Sequence, residues 1–283
     1  MNPRALLVAC ASLIFAGPAS AGGLFDLFLP KNDLETFTVT DFTPEGRTRR
    51  QPTPDNPVYY VAVSAGYVDL GGIKAGEKPM PRDLMNSTVM KALAKQGFLP
   101  VPPGKTPDVI VVWKWGTMNT IITPLNLGMG GSVSIQVNEA AIQRFLGGKK
   151  LGLVGSNAND FHEYSLSPGL RFASGPAGAL LSAARDDLYV AAISAYDWKP
   201  DAQGRPVALW NTRVGAPSRG FWMPTALPAM VAIATPFIGR ETDRPMWIKA
   251  AEHYKPDIKI GDPEVIAYLE RGKSVVENVG TGE

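Results

Sequence analysis

The sequence predicts an α+β fold: a mixed β-sheet with a βαβ crossover and a C-terminal β-hairpin, its helices packed mainly on one face. Three observations carry this. Two strand-like segments, Pro57–Val68 and Pro107–Trp115, flank the clearest helix of the chain, Pro81–Gly97. A second pair of strand-like segments, Leu188–Asp197 and Val207–Val214, is joined by a connection with the turn chemistry Pro200-Asp201-x-x-Gly204. The apolar stretch Trp222–Ile238 supplies a further helix to cover the sheet.

Each element has a local reason. Tyr59-Tyr60-Val61-Ala62-Val63 is β-branched and aromatic and lies between Pro57 and Gly66, the composition of a strand bounded by turn residues. Pro81 suits the first turn of a helix, Asp83 the positive end of its dipole, and Gly97 the residue past its end. Met85, Val89, Ala92, Leu93 and Gln96 recur at helical spacing as one mostly apolar stripe. In the next strand Val109, Val111, Trp113 and Trp115 point one way, while Ile110 and Val112 point the other. Apolar residues on both faces place that strand inside its sheet. Strand, helix and strand at this spacing read as a right-handed crossover between parallel neighbours.

Further along, Asn138–Val154 reads as a helix of moderate periodicity, weakened by Gly147-Gly148, and Pro176–Arg185 as a short helix rich in small residues. Leu188–Asp197 and Val207–Val214 should pair antiparallel. Pro224, Pro228 and Pro236 break up Trp222–Ile238, which is also short for a membrane span, so it reads as a buried helix with a ragged start. Helices Pro81–Gln96 and Met223–Thr235 are expected to share one face of the sheet. Loops are expected at Pro44–Pro57, Gly71–Pro81, Leu99–Pro107, Thr117–Gly131 and Asn157–Pro176. The chain then divides into 1–21, a leader; 22–56, an N-terminal segment with a Pro-rich linker; 57–270, one α+β domain; and 271–283, a flexible tail.

Met1–Ala21 has the layout of a secretory signal peptide: Arg4, the apolar run Ala5–Ala16, then Ala19-Ser20-Ala21. Cleavage after Ala21 would start the mature chain at Gly22 and place it in the periplasm or outside the cell. Cys10 is the only cysteine. Leu7-Val8-Ala9-Cys10 is a loose match to a lipoprotein box, but Ala5–Ala9 is too little apolar length before it, so lipid anchoring through Cys10 is not expected. Without Cys10 the mature chain holds no thiol, which removes disulfides and thiol chemistry. Arg4 leaves with the leader, so the 28 basic side chains fall to one more than the 26 acidic ones. Such a balance gives no footprint for nucleic acid. Arg47-Thr48-Arg49-Arg50, the sole basic cluster, reads as a solvated linker face.

Asp197 ends the first strand of the Leu188–Val214 hairpin, and Leu209-Trp210-Asn211-Thr212-Arg213 lies in the second. This hairpin resembles the C-terminal hairpin of a bacterial domain of unknown function, recurrent in small envelope proteins and lipoproteins. Phe98 after the helix, followed by Pro107-Asp108-Val109-Ile110-Val111, is similar to the middle of the same domain. The resemblance implies a place in the cell envelope and no site residues.

Chemistry-bearing patterns are few. Of the two histidines, His162 lies in Asp160-Phe161-His162-Glu163, the densest group of possible metal ligands or acid–base residues, and His253 lies far away in sequence. Leu166 stands where a zincin needs its second histidine. No serine sits centrally in G-x-S-x-G. Gly272-Lys273-Ser274 lacks the first glycine of a phosphate loop, Ala267 being in its place. Gly128–Ser132 reads as a mobile loop rather than an anion cradle. Trp113, Trp115, Trp210 and Trp222 lie on or beside predicted strands and are candidates for a binding groove as well as for the core. The sum is an exported envelope protein with a non-enzymatic binding or assembly role, no cofactor, and an unidentified envelope protein or small ligand as partner. The alternative is a secreted carboxylate- or metal-dependent hydrolase using Asp160, His162, Glu163 and His253.

Overall fold

Strand β4 (Val109–Met118) alternates as its sequence requires: Val109, Val111, Trp113 and Trp115 are buried on one face of a seven-stranded sheet. The computed structural model describes residues 34–53, 55–72, 74, 79–128, 131–153 and 174–250, and the backbone of 268–270 and 273–275. β4 runs parallel to β2 (Val58–Asp69), with Tyr60 opposite Val109. Between them in sequence come helix α2 (Arg82–Lys95) and the short strand β3 (Phe98–Pro100), which pairs parallel with the other side of β2. The predicted crossover is therefore present, with β3 as an added edge. Met85, Val89, Ala92 and Leu93 form the buried stripe of α2, and Gly97 ends it with φ +83.

The remaining strands are antiparallel. β7 (Leu188–Asp197) pairs with β4 and with β8 (Ala208–Pro217), the predicted hairpin. Beyond β8 lie β1 (Glu35–Phe42) and β9 (Met246–Lys249), giving the order β3-β2-β4-β7-β8-β1-β9. β1 comes from the segment expected to hold a linker. Thr36, Thr38 and Thr40 read as polar, yet all three are buried on its core face. The Thr40 hydroxyl explains one of them: it lies 2.7 Å from the Thr212 hydroxyl and donates to the Phe237 carbonyl at 2.6 Å.

Helix α5 (Met223–Ala234) packs on α2 and across β7, β8 and β1. With α2 it seals the larger core, which includes Trp113, Ile193, Trp210, Leu227 and Met230. A one-turn 3-10 segment, Thr235–Phe237, follows α5 where Pro236 ends the α-helical pattern. On the opposite face, α3 (Glu139–Phe145) and α4 (Gly175–Ala183) cover Phe37, Leu188 and Val190, with Ile142, Leu146 and Leu180 as their buried contacts. The helix expected over Asn138–Val154 is cut short at Phe145. Gly147 takes φ +92, and the chain tightens into a 3-10 turn, Gly148–Leu151.

Three expected loops carry structure. Pro44–Thr48 is a short helix, α1, capped by the Thr43 hydroxyl, which accepts from Gly46 N at 3.0 Å. Leu99 and Pro100 belong to β3. The Thr117–Gly131 region contains β5 (Ile122–Gly128), which pairs antiparallel with β6 (Gly131–Gln136). Nor is the basic cluster merely solvated. Arg47 is paired with Glu241, Arg49 with Asp197, and Arg50 donates to the carbonyls of Asn56 and Pro57. By its internal contacts the chain divides into Met1–His253 and Tyr254–Glu283. In the latter, β10 (Tyr268–Glu270) and β11 (Lys273–Val275) form a two-stranded ladder. No helix among the described residues is long and apolar enough to cross a membrane.

Candidate functional site

The residues singled out for acid–base or metal chemistry fall outside the part of the chain that the structure describes. Asp160, His162, Glu163 and His253 lie outside the described residues, as do Cys10 and the leader. Among the described residues no group of three or more His, Cys, Asp or Glu could hold a metal ion.

Three of the four candidate tryptophans are core residues. Trp113 and Trp115 are each 2% exposed, so neither can line an open groove. Trp113 donates its indole N–H to Asn86 Oδ1 at 3.0 Å, which ties α2 to β4. Trp210 is buried against Phe98, ring centres 5.5 Å apart. The physical reason is the register: Trp113 and Trp115 follow Val109 and Val111 on the face that α2 and α5 cover. Trp222 differs. It precedes the first residue of α5 and is 69% exposed.

Trp222 stands at the end of the sheet where β4 finishes, β7 starts and β8 finishes, since Met118 is opposite Leu188 and Leu188 opposite Pro217. Asp187 organises this end. Its carboxylate accepts from Thr120 N at 2.8 Å and from the Thr120 hydroxyl at 3.0 Å, and it pairs with Lys74. Its carbonyl accepts from Ser218 N at 2.8 Å, and Tyr189 donates its hydroxyl to the Phe221 carbonyl at 3.0 Å. The chain entering β5 is tied to the chain leaving β6 by Asn138, which accepts from Ile121 N at 2.9 Å and donates to the Asn119 carbonyl at 2.8 Å. Nearby, Asp69 accepts from the hydroxyls of Thr117 and Tyr67, each at 2.6 Å. These two bonds, Thr117 first, hold its carboxyl below the ordinary carboxylate value.

From this anchored root the β5–β6 hairpin leaves the body of the sheet. Thr123 is opposite Ile135 and Leu125 opposite Val133, so one face of the hairpin carries Leu125, Val133 and Ile135. The other face carries Pro124, Asn126, Ser132, Ser134 and Gln136, with Ile122 near the root. Ile122 is 57% exposed and Leu125 45%; Ile121, Val133 and Ile135 are exposed too. From Trp115 to Asn138 the sequence holds no charged residue. An exposed apolar face on an uncharged ribbon, with Trp222 at the same end of the sheet, is the chief feature of the surface that burial leaves unexplained. The signal was in the sequence: Ser132-Val133-Ser134-Ile135-Gln136 alternates with period two, and the glycines of Gly128–Gly131 turn the chain.

No family model matches the chain, and no curated protein matches it. Among solved structures, a PDZ domain protein from Parabacteroides distasonis is 13% identical, with a TM-score of 0.33 over 79% of this chain and 41% of its own. A DUF4136 family protein from Bacteroides thetaiotaomicron is 9% identical, with a TM-score of 0.32 over 72% of this chain and 96% of its own. This chain thus spans less than half of the first structure, and both likenesses are weak.

Proposed function

We propose that this chain is an exported protein of the bacterial cell envelope that acts by binding, and that it binds a partner protein through the apolar face of the β5–β6 hairpin together with Trp222. The observation that carries the reading is the exposure of Leu125, Val133 and Ile135 on one face of an uncharged ribbon. A two-stranded hairpin gains little stability by itself in water, and an uncovered apolar face is a cost unless a partner covers it. The exposed indole of Trp222, at the same end of the sheet, supplies a large, amphipathic contact of the kind that anchors interfaces. The leader-like Met1–Ala21 supports export, and the resemblance of the Leu188–Val214 hairpin supports the envelope.

The test has two arms. N-terminal sequencing of the protein recovered from cells should begin at Gly22; an acylated Cys10 as first residue would replace the free protein by a lipid-anchored one. Tagged protein from envelope extracts should retain a partner that Leu125→Ser with Val133→Ser releases and Lys91→Ala, on α2, does not. Equal retention by all three removes the hairpin from the reading. Hydrolysis of envelope substrates that disappears in Asp160→Asn or His162→Ala would put the hydrolase in its place.

A further inference from the structure

The edge of β6, rather than its apolar face, points to a second partner: another copy of this chain. Val137 N donates to the Ile121 carbonyl at 2.9 Å, while Ile121 N turns to the Asn138 side chain, so Ile121 and Val137 mark a bonded position at the root of the hairpin. Bonded and non-bonded pairs alternate along an antiparallel ladder. Thr123 with Ile135 and Leu125 with Val133 are then bonded inward, while Pro124 opposite Ser134 and Asn126 opposite Ser132 aim their main-chain groups outward. Pro124, which has no N–H, falls at an outward position, where its absence breaks nothing inside the ladder.

The two edges of the hairpin are therefore unlike. The free edge of β5 lacks a donor at its middle, Pro124. The outer edge of β6, which no other described strand pairs with, offers both N–H and C=O at Ser132, Ser134 and Gln136, with no proline and no charge among Ser132–Gln136. The outer strands of the main sheet offer far less: β3 has 3 residues and ends in Pro100, and β9 has 4. Short edges and prolines are how sheets avoid adding strands, and β6 has neither protection.

We infer that β6 is a dimerisation edge, pairing antiparallel with β6 of a second copy about a two-fold axis at Ser134. That register sets Val133 against Ile135 of the other copy, and Ile135 against its Val133, on the apolar face. Ser132 lies against Gln136 on the polar face, again twice. β-branched pairs and polar pairs of this kind stabilise a ladder, and no charge has to be desolvated. An isologous contact needs a self-complementary surface, and this alternation supplies one. The inference uses the hydrogen-bonding edge and stands or falls separately from partner binding by the apolar face.

Sedimentation velocity over a range of concentrations, with disulfide trapping, tests it. The chain carrying Cys10→Ser should sediment as a dimer in equilibrium with monomer. Ser134→Pro removes one donor from each copy at the axis and should weaken the dimer roughly tenfold or more, with an unchanged melting temperature showing that the main sheet is intact. On the Cys10→Ser background Ser134→Cys should cross-link to its own kind, since paired Cα atoms about 5.5 Å apart suit a disulfide, and Leu125→Cys should not. A chain that stays monomeric at every concentration overturns the inference. So does a dimer that survives Ser134→Pro, or cross-linking at Leu125→Cys equal to that at Ser134→Cys.

Discussion

Ile193 on β7 and Ile135 on β6 are both isoleucines within β-strands, yet Ile193 is wholly buried and Ile135 is 39% exposed. Ile193 lies between Trp113 and Thr212, with α5 packed on its strand. Ile135 has Thr123 on one side and, among the described residues, no strand on the other. The pleat is the same in both places; what differs is the number of neighbouring strands and the presence of a helix. Burial therefore holds the main sheet together, whereas the hairpin is held by its root, through Asn138 and Asp187. The difference teaches that an apolar strand face is a stabilising feature in one region and an available contact surface in the other.

Breaking the buried side of this comparison should have the largest effect. Ile193→Asp places an unpaired carboxylate in the core and should cost about 4 kcal/mol or more, read as a fall in the denaturation midpoint with a chain that remains folded only at low denaturant. An unchanged midpoint would mean that Ile193 is not covered. Next comes Gly239→Ala. Gly239 takes φ +64, and a Cβ there would lie 2.9 Å from the Phe98 ring and 3.3 Å from Trp210. The backbone strain and the crowding together should cost about 2 kcal/mol in the same assay.

On the hairpin side the same class of change should leave stability nearly untouched. Leu125→Ser combined with Ile135→Ser should shift the unfolding free energy by less than about 0.5 kcal/mol, while reducing the fluorescence of a dye that binds apolar surface. A loss comparable to that of Gly239→Ala would mean that the hairpin face is covered by the chain itself.

The smallest effect is a titration. Hydrogen bonds from Thr117 and Tyr67 lower the Asp69 carboxyl in the folded state. A group lowered on folding adds stability that is present above its unfolded value and lost as pH falls through its folded value. Thr117→Val should raise the Asp69 titration toward the ordinary carboxylate range, followed by NMR of its side-chain carbon, and so bring the acid loss of this stability to higher pH. Asp69 is mostly exposed, so the gain is small; a titration unmoved by Thr117→Val would show that the bond does not hold the charge.

What was legible in the sequence follows the same division. The crossover, the Leu188–Val214 hairpin and the two helices that cover one face could be read because their apolar residues keep one period over a whole element and proline or glycine marks their ends. β1 escaped because its segment reads together with the Pro-rich stretch that follows it, although Thr36, Thr38 and Thr40 are buried and the Thr212 hydroxyl meets that of Thr40. β5 and β6 escaped because Pro124 and the cluster of glycines look like a loop; the outward position of Pro124 is what reconciles it with a strand. For the site, sequence offered four tryptophans on equal terms. Only the register separates Trp113, Trp115 and Trp210, which are committed to the core, from Trp222, which is not.

The contrast between a covered sheet and an uncovered ribbon is tested most directly by residue-resolved hydrogen exchange at two protein concentrations. Val111 to Trp115 and Ala191 to Ala195 should exchange only through global unfolding, at rates that do not depend on concentration. In dilute protein the amides of Ser132 and Gln136 should exchange far faster than these. In concentrated protein they should slow as β6 finds its copy, and in Ser134→Pro that slowing should vanish. Protection of Ser132 and Gln136 equal to that of Ile193 in dilute protein would contradict the account.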